Sequence, residues 1–154
     1  MSNQAAIYPL SSGLGTLDDG CIFCLIIQGK IPSFKIAETE LSVAFLDINP
    51  VSEGHTLVIP KHHAVTLHDL PDPYLADILP LAKKIAGSLA VKEFNIVQNN
   101  GKIAFQHVDH VHFHVVPKPS ETEGLIIKID ENWPQKVVSK EELGVVAEKL
   151  RGRL

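Results

Sequence analysis

The chain has 154 residues, 45% of them hydrophobic, enough for one globular domain with a substantial core. Its net charge of −4, counted with eight neutral histidines, and a pI near 6.0 leave no basic stripe for an extended nucleic-acid surface and no polybasic cluster for a membrane. Its apolar runs fall short of the ~18 residues of a membrane span, while local donors could still hold one small anion.

In chain order, residues 1–17 are rich in Ser, Gly and Asn and lack the basic start and apolar run of a secretory signal, so they read as a flexible tail ahead of a domain over 18–154. A cytosolic, reducing compartment follows, with nuclear entry by diffusion at 16.9 kDa, where Cys21 and Cys24 stay thiols. Asp18 and Asp19 before a short apolar run, with Gly29 and Pro32 after it, predict one or two helical turns over 22–28. Residues 34–37 and 41–46 predict an antiparallel hairpin turning at Glu38-Thr39-Glu40. Asn49-Pro50 opens a loop to Gly54, and 55–59 is a third strand closed by Pro60.

Leu75, Ile78, Leu79, Ala82, Ile85, Ala86 and Leu89 recur at helical spacing, so the stretch opened by Pro73 is the principal amphipathic helix. Pro80 inside it removes a backbone hydrogen bond and predicts a kink or a break. Residues 95–98 form a fourth strand, and Asn99-Asn100-Gly101 begins a turn-rich loop. Beyond Pro117 a short strand over 124–129 and a helix over 141–150 capped by Ser139 are expected. Strands with one large helix between them make the fold α+β with an antiparallel sheet.

The fifth strand carries the chemistry. His110, His112 and His114 alternate with Val111 and Phe113 and are followed by Val115, Val116 and Pro117. Period-two alternation sends Val111, Phe113 and Val115 into a core and lines the three imidazoles along the other face, roughly 7 Å apart. Imidazole is nucleophile, proton carrier and metal ligand near neutral pH, and three on one face are hard to explain as solvated surface. Cys21 and Cys24 form a lone CxxC on a short turn: half a zinc site, a redox pair, or two buried thiols. No thioredoxin-like pattern surrounds them, which disfavours the redox pair.

The string HVHFHVV, together with CIFCLIIQGKIPSFKI, AFLDINPVSEGHTLVIPKHH and QNNGKIAFQHVDHVHFHVVPK, resembles the histidine triad family segment by segment over roughly residues 19–118. The chain most resembles the Hint branch, the adenosine 5′-monophosphoramidases, in its fungal CxxC-containing form. The resemblance implies a HIT-like fold: a five-stranded antiparallel meander with one long helix and short flanking helices, paired into a homodimer with a continuous sheet. Residues 19–118 would be its core and 119–154 a C-terminal extension. It implies purine nucleotide binding, P–N bond cleavage of adenosine 5′-phosphoramidates to AMP and an amine, and no organic cofactor.

By position, His112 would be the nucleophile, its ring held by the backbone carbonyl of His110, and His114 would donate to a phosphoryl oxygen. Asn99 and Asp47 align with nucleotide and ribose contacts, Ile48 with a contact to the base, and Phe23 and Ile31 with the base pocket. Without the triad, Asn99 would be read only as shaping its turn and Asp47 as ending a strand. The family loop before the triad commonly reads Gly-Gln-Ser/Thr-Val, whereas here it reads Phe105-Gln106-His107-Val108. Gln106 keeps its place in that nucleotide loop; His107 stands where a hydroxyl helps protonate the leaving amine, and could act as an acid or face solvent. CxxC members complete a structural zinc site with residues matching His63 and His110, with adjacent His62 the rival for His63. Trp133-Pro134 would lie near a neighbouring active site or make a core or dimer contact. Two other functions stay open: a dinucleoside polyphosphate hydrolase of the Fhit branch, and a zinc-bearing nucleotide-binding scaffold.

Overall fold

A computed structural model of the chain describes residues 15–154. Most of the expected tail, 1–14, lies outside the described residues. Residues 15–17 are not loose: Gly15 donates to the Lys61 carbonyl at 3.3 Å, His63 donates to the Thr16 carbonyl at 2.7 Å, and Leu17 packs beneath α1. The elements are α1 (Ile22–Ile27), β1 (Lys35–Glu38), β2 (Ser42–Leu46), β3 (Thr56–Pro60), α2 (Asp72–Ser88), β4 (Phe94–Gln98), β5 (Phe113–Pro117) and α3 (Lys140–Arg151), with 3₁₀ turns at Leu67–Asp69 and Lys102–Ala104.

All five strands pair antiparallel in the order β1-β2-β3-β5-β4. The sheet is therefore a meander only through its first three strands. Helix α2 carries the chain back across the sheet after β3, so β4 runs parallel to β3, and the slot between them takes β5, antiparallel to both. Pro80 does not break α2, which runs unbroken from Asp72 to Ser88. Pro80 and Ala76 are both exposed, so the carbonyl freed four residues back faces water instead of the core.

Alternation splits the core in two. Ala44, Val58, Phe113 and Val115 face α2 and meet Ile78, Leu81, Ala82 and Ile85. Val43, Phe45, Leu57 and Ile59 face the other way, onto Phe23, Cys21 and Cys24 at α1. The register sets Leu57 opposite His114, which puts the triad on the α1 face. The strand expected to carry the whole histidine row from His110 begins only at Phe113. Upstream the backbone is otherwise engaged: Val111 donates to the Ala64 carbonyl at 2.8 Å, and the His110 carbonyl accepts from the His112 ring.

The expected strand over 124–129 does not form; only an isolated bridge joins Ile129 to Trp133. Ile127, Ile129 and Trp133 are exposed, so a core role for Trp133 is excluded. Helix α3 forms as expected: Ser139 Oγ accepts from Glu142 N, and the Glu142 carboxylate accepts from Ser139 N, a closed capping box.

Candidate active site and metal centre

The His112 ring is 5% exposed, and its Nδ1 lies 2.6 Å from the His110 carbonyl oxygen. A carbonyl only accepts, so Nδ1 carries the proton and Nε2 keeps its lone pair. Phe23 stands edge-on to both His110 and His112, with centroids at 5.8 and 5.4 Å, and fixes the plane of each ring. The His112 and His114 rings lie 5.0 Å apart, closer than the strand rise alone gives.

Sequence reasoning missed His55. Its Nε2 lies 2.9 Å from His114 Nδ1 and 3.7 Å from Asp47 Oδ2, while its Nδ1 accepts from Val51 N at 3.3 Å. These partners fix the tautomers in series. The Val51 amide occupies the His55 Nδ1 lone pair, so His55 Nε2–H donates to His114 Nδ1. His114 then carries its own proton on Nε2, the nitrogen left to donate elsewhere. The site thus offers an unprotonated nitrogen on His112 beside an N–H donor on His114, the pair that in-line displacement at phosphorus requires. The signal that could have found His55 is its place at the start of β3, since strand register brings that end against β5.

Burial sets the charge state. His110 and His114 are both pushed down to about 4, by desolvation first and then by their imidazole neighbours; His112 and His55 are lowered for the same leading reason. All four are therefore neutral at pH 7. An unfolded chain takes up these protons below about pH 6.5, whereas the folded chain refuses them down to about 4 for His110 and His114. Folding stability should be full above about pH 6.5 and fall as pH drops from there to about 4. A series of urea midpoints checks this, and equal midpoints at pH 7 and pH 5 would contradict it.

Of the other expected contacts, Asp47 borders the histidines and Ile48 beside it is 77% exposed. Phe23 is buried under the rings, and Ile31 is half-buried on the turn after α1. Asn99 follows Gln98, which ends β4 opposite Phe113; its Nδ2 donates to the Phe105 carbonyl at 3.1 Å. The Gln106 amide is spent within the protein: Oε1 accepts from Gly101 N at 2.6 Å, and Nε2 donates to the Val65 and Val108 carbonyls at 2.7 and 3.0 Å. His107 is exposed, its ring 4.4 Å from that of Phe105. Phe105 holds φ 68 and ψ 25, a left-handed conformation that costs an L-residue other than glycine about 1–2 kcal/mol.

The second cluster joins Cys21, Cys24, His63 and His110, whose ligand atoms lie within 4.8 Å of one another. Cys21 Sγ and Cys24 Sγ stand 3.4 and 3.5 Å from His110 Nδ1, and Cys24 Sγ stands 3.5 Å from His63 Nδ1. A tetrahedron with Zn–S about 2.3 Å and Zn–N about 2.0–2.1 Å has a sulfur-to-nitrogen edge of about 3.5 Å. The outer partners fit as well. His110 Nε2 donates to the Pro60 carbonyl at 3.0 Å, which leaves Nδ1 free for a metal, and His63 Nε2 lies 3.8 Å from Asp18 Oδ2. Desolvation pushes the Cys24 thiol up to about 11, so its thiolate needs a cation beside it. His62 is turned away onto Tyr74, with centroids at 5.0 Å, so the cluster takes His63.

The chain is similar to known proteins over most of its length. The HIT domain matches residues 28–121. The chain is 50% identical over 143 residues to the Saccharomyces cerevisiae adenosine 5′-monophosphoramidase HNT1, covering 93% of this chain and 88% of that protein. It is 51% identical over 134 residues to the Schizosaccharomyces pombe adenosine 5′-monophosphoramidase hnt1, covering 87% and 98%. A crystal structure of a histidine triad nucleotide-binding protein from Candida albicans superposes with a TM-score of 0.78 at 48% identity, covering 86% of this chain and 96% of that one. With three alternating imidazoles leading into β5, a matching domain and relatives this similar over nearly their whole length, the chain belongs to the HIT family.

Proposed function

We propose that this protein hydrolyses adenosine 5′-phosphoramidates to AMP and an amine through a nucleotidyl-histidine intermediate on His112. The observation that carries the reading is the 2.6 Å bond from His112 Nδ1–H to the His110 carbonyl, which leaves Nε2 as a neutral nucleophile. Nε2 forms a bond to the α-phosphorus, the P–N bond to the substrate amine breaks, and the departing nitrogen takes a proton from solvent. His114 Nε2–H donates to a phosphoryl oxygen as charge gathers there, with His55 and Asp47 positioning it from behind. Water then attacks the same phosphorus, the P–N bond to His112 breaks, and AMP leaves. Asp47 borders the histidines through His55, with the exposed Ile48 next to it in the chain, and the relatives' names supply the adenosine.

The test is turnover of an AMP–amine conjugate against a diadenosine polyphosphate, with rapid acid-free quenching to trap the adduct. Preference for the conjugate and a labelled His112 are expected. Preference for the dinucleotide would favour the Fhit-type reaction, and absence of turnover with tight AMP binding would favour a scaffold.

Zinc is the ion that two thiolates and two imidazoles would hold, on Cys21, Cys24, His63 and His110. Four protein ligands leave no place for substrate, so its part there is structural. The free thiols suit a reducing compartment such as the cytoplasm, and no helix of the described residues is long and apolar enough to cross a membrane. A homodimer is supported by the open edge of β4, which leaves Phe94 and Ile96 42% and 43% exposed. Sedimentation should give twice 16.9 kDa, and Ile96→Glu beside that edge should shift it to the monomer. A wild-type monomer at micromolar concentration would remove the dimer.

A further inference from the structure

Two of the four candidate metal ligands, Cys21 and Cys24, precede the stretch that matches the HIT domain, residues 28–121. So does the segment ahead of them, where each residue from Gly15 to Asp18 is tied to a ligand or to the chain beside one. Gly15 N donates to the Lys61 carbonyl at 3.3 Å, and the Thr16 carbonyl accepts from His63 N at 2.7 Å. Leu17 packs against the apolar cluster that holds Cys21, Phe23 and Cys24. The Asp18 carbonyl accepts from Cys21 N at 3.1 Å. Its carboxylate accepts from Gly20 N at 2.7 Å through Oδ1 and lies 3.8 Å from His63 Nε2 through Oδ2.

His62 seats this segment. Its ring meets that of Tyr74 in α2, with centroids 5.0 Å apart, and it leaves no room for a side chain at Gly15. A Cβ there would stand 1.9 Å from His62 Nδ1 and 2.6 Å from His62 Cβ, and turning the ring cannot relieve the second contact. The close approach of the two backbones therefore requires glycine.

A site closed by four protein ligands gives up its ion only when one of them swings away. Cys21, Cys24 and His110 are 8%, 0% and 0% exposed, whereas the His63 side chain is 20% exposed. His63 is thus the ligand that can open first, and the segment from Gly15 to Asp18 holds its backbone and faces its outer ring nitrogen. We infer that residues 15–18 form a strap that locks His63 onto the metal centre and sets how fast zinc leaves, with His62 as its seat. Asp18 is the positioning residue: a carboxylate beside the far nitrogen fixes the ring and makes the metal-bearing nitrogen more basic. The strap rests on the proposed zinc site, and the test separates the two.

Zinc release into an excess of chromophoric chelator is timed for the zinc-loaded wild type and for Gly15→Ala. The added methyl does not fit against His62, so the strap should lift and release should quicken about tenfold, the scale of a lost outer partner. Gly87→Ala, where a Cβ meets nothing within 4 Å, should release zinc at the wild-type rate. Asp18→Asn keeps an oxygen for Gly20 N while removing the charge, and should also quicken release; Asp18→Glu should restore part of the delay. Stripped of metal, the variants should melt with the stripped wild type, because the strap acts on the ion and not on the sheet. Release at the wild-type rate in Gly15→Ala or Asp18→Asn overturns the strap and leaves the zinc site standing. So does faster release matched by a lower melting temperature of the metal-free variant. A wild-type protein that binds no zinc overturns the zinc site, and the strap with it.

Discussion

His112→Asn should lower kcat on an AMP–amine conjugate by at least ~10⁴-fold, the scale at which removing a covalent nucleophile shows. Asparagine is the informative replacement because its Nδ2 sits close to where the imidazole Nδ1 was. It can still donate to the His110 carbonyl, which in the native protein accepts from the ring at 2.6 Å. His112→Ala would strip that carbonyl of its partner and open a void beside Phe23, adding about 1–3 kcal/mol of unrelated destabilisation. With asparagine the bond to the His110 carbonyl persists and the void beside Phe23 is smaller than with alanine, while Nε2 is gone. Affinity for AMP should change far less than kcat, because the nitrogen bonds to phosphorus only during the reaction. Isothermal titration with AMP and single-turnover kinetics check the two halves. A variant that kept even a hundredth of the native rate would mean that water attacks phosphorus directly, and the covalent route would be lost.

The residues that made this site legible were those whose chemistry and period coincide. Alternating His and apolar residues leading into β5 specify the face, and the resemblance of the surrounding segments to the HIT family implies the reaction, so roles could be assigned to His110, His112 and His114 from the chain alone. The CxxC by itself was half legible: Cys21 and Cys24 name a soft-metal pair, the other half, from the loop after β3 and the segment before β5, was given only by the family resemblance, and folding is what puts His63 within 3.5 Å of Cys24. His55 was illegible because nothing in its own neighbourhood marks it. Its role arises from β3–β5 pairing, a contact between residues far apart in sequence. The order of the strands was hidden for a related reason. Local alternation says which face a residue takes, but not that α2 carries the chain past the slot which β5 fills. Glycine's absence from position 105 was visible from the start, whereas the left-handed backbone that gives it meaning was not.

Stripping the metal should cost the protein about 10 °C in melting temperature. A zinc ion held with free metal at about a thousand times Kd contributes about 4 kcal/mol, and in a chain of this size each kcal/mol moves the midpoint by about 2–4 °C. Metal analysis should find one zinc per chain, lost on prolonged chelation or in Cys24→Ser. The competing account is that Cys21 and Cys24 are merely buried thiols, 8% and 0% exposed, packed against Phe23 and Ile59. The two accounts differ in whether a chelator has any effect. A packing thiol is indifferent to a chelator, and Cys24→Ala then costs only the loss of one small buried group. A ligand thiolate is sensitive to both, and its loss leaves the buried His110 Nδ1 with only the Cys21 sulfur at 3.4 Å. The effect should also reach the chemistry, because the carbonyl orienting His112 belongs to His110 and the Phe23 ring leans on both imidazoles. Metal-free protein should therefore lose activity well below its melting point, and zinc should restore it. If chelation left the melting curve unmoved, the tetrahedral spacing of the four side chains would be an accident of thiol–imidazole hydrogen bonding.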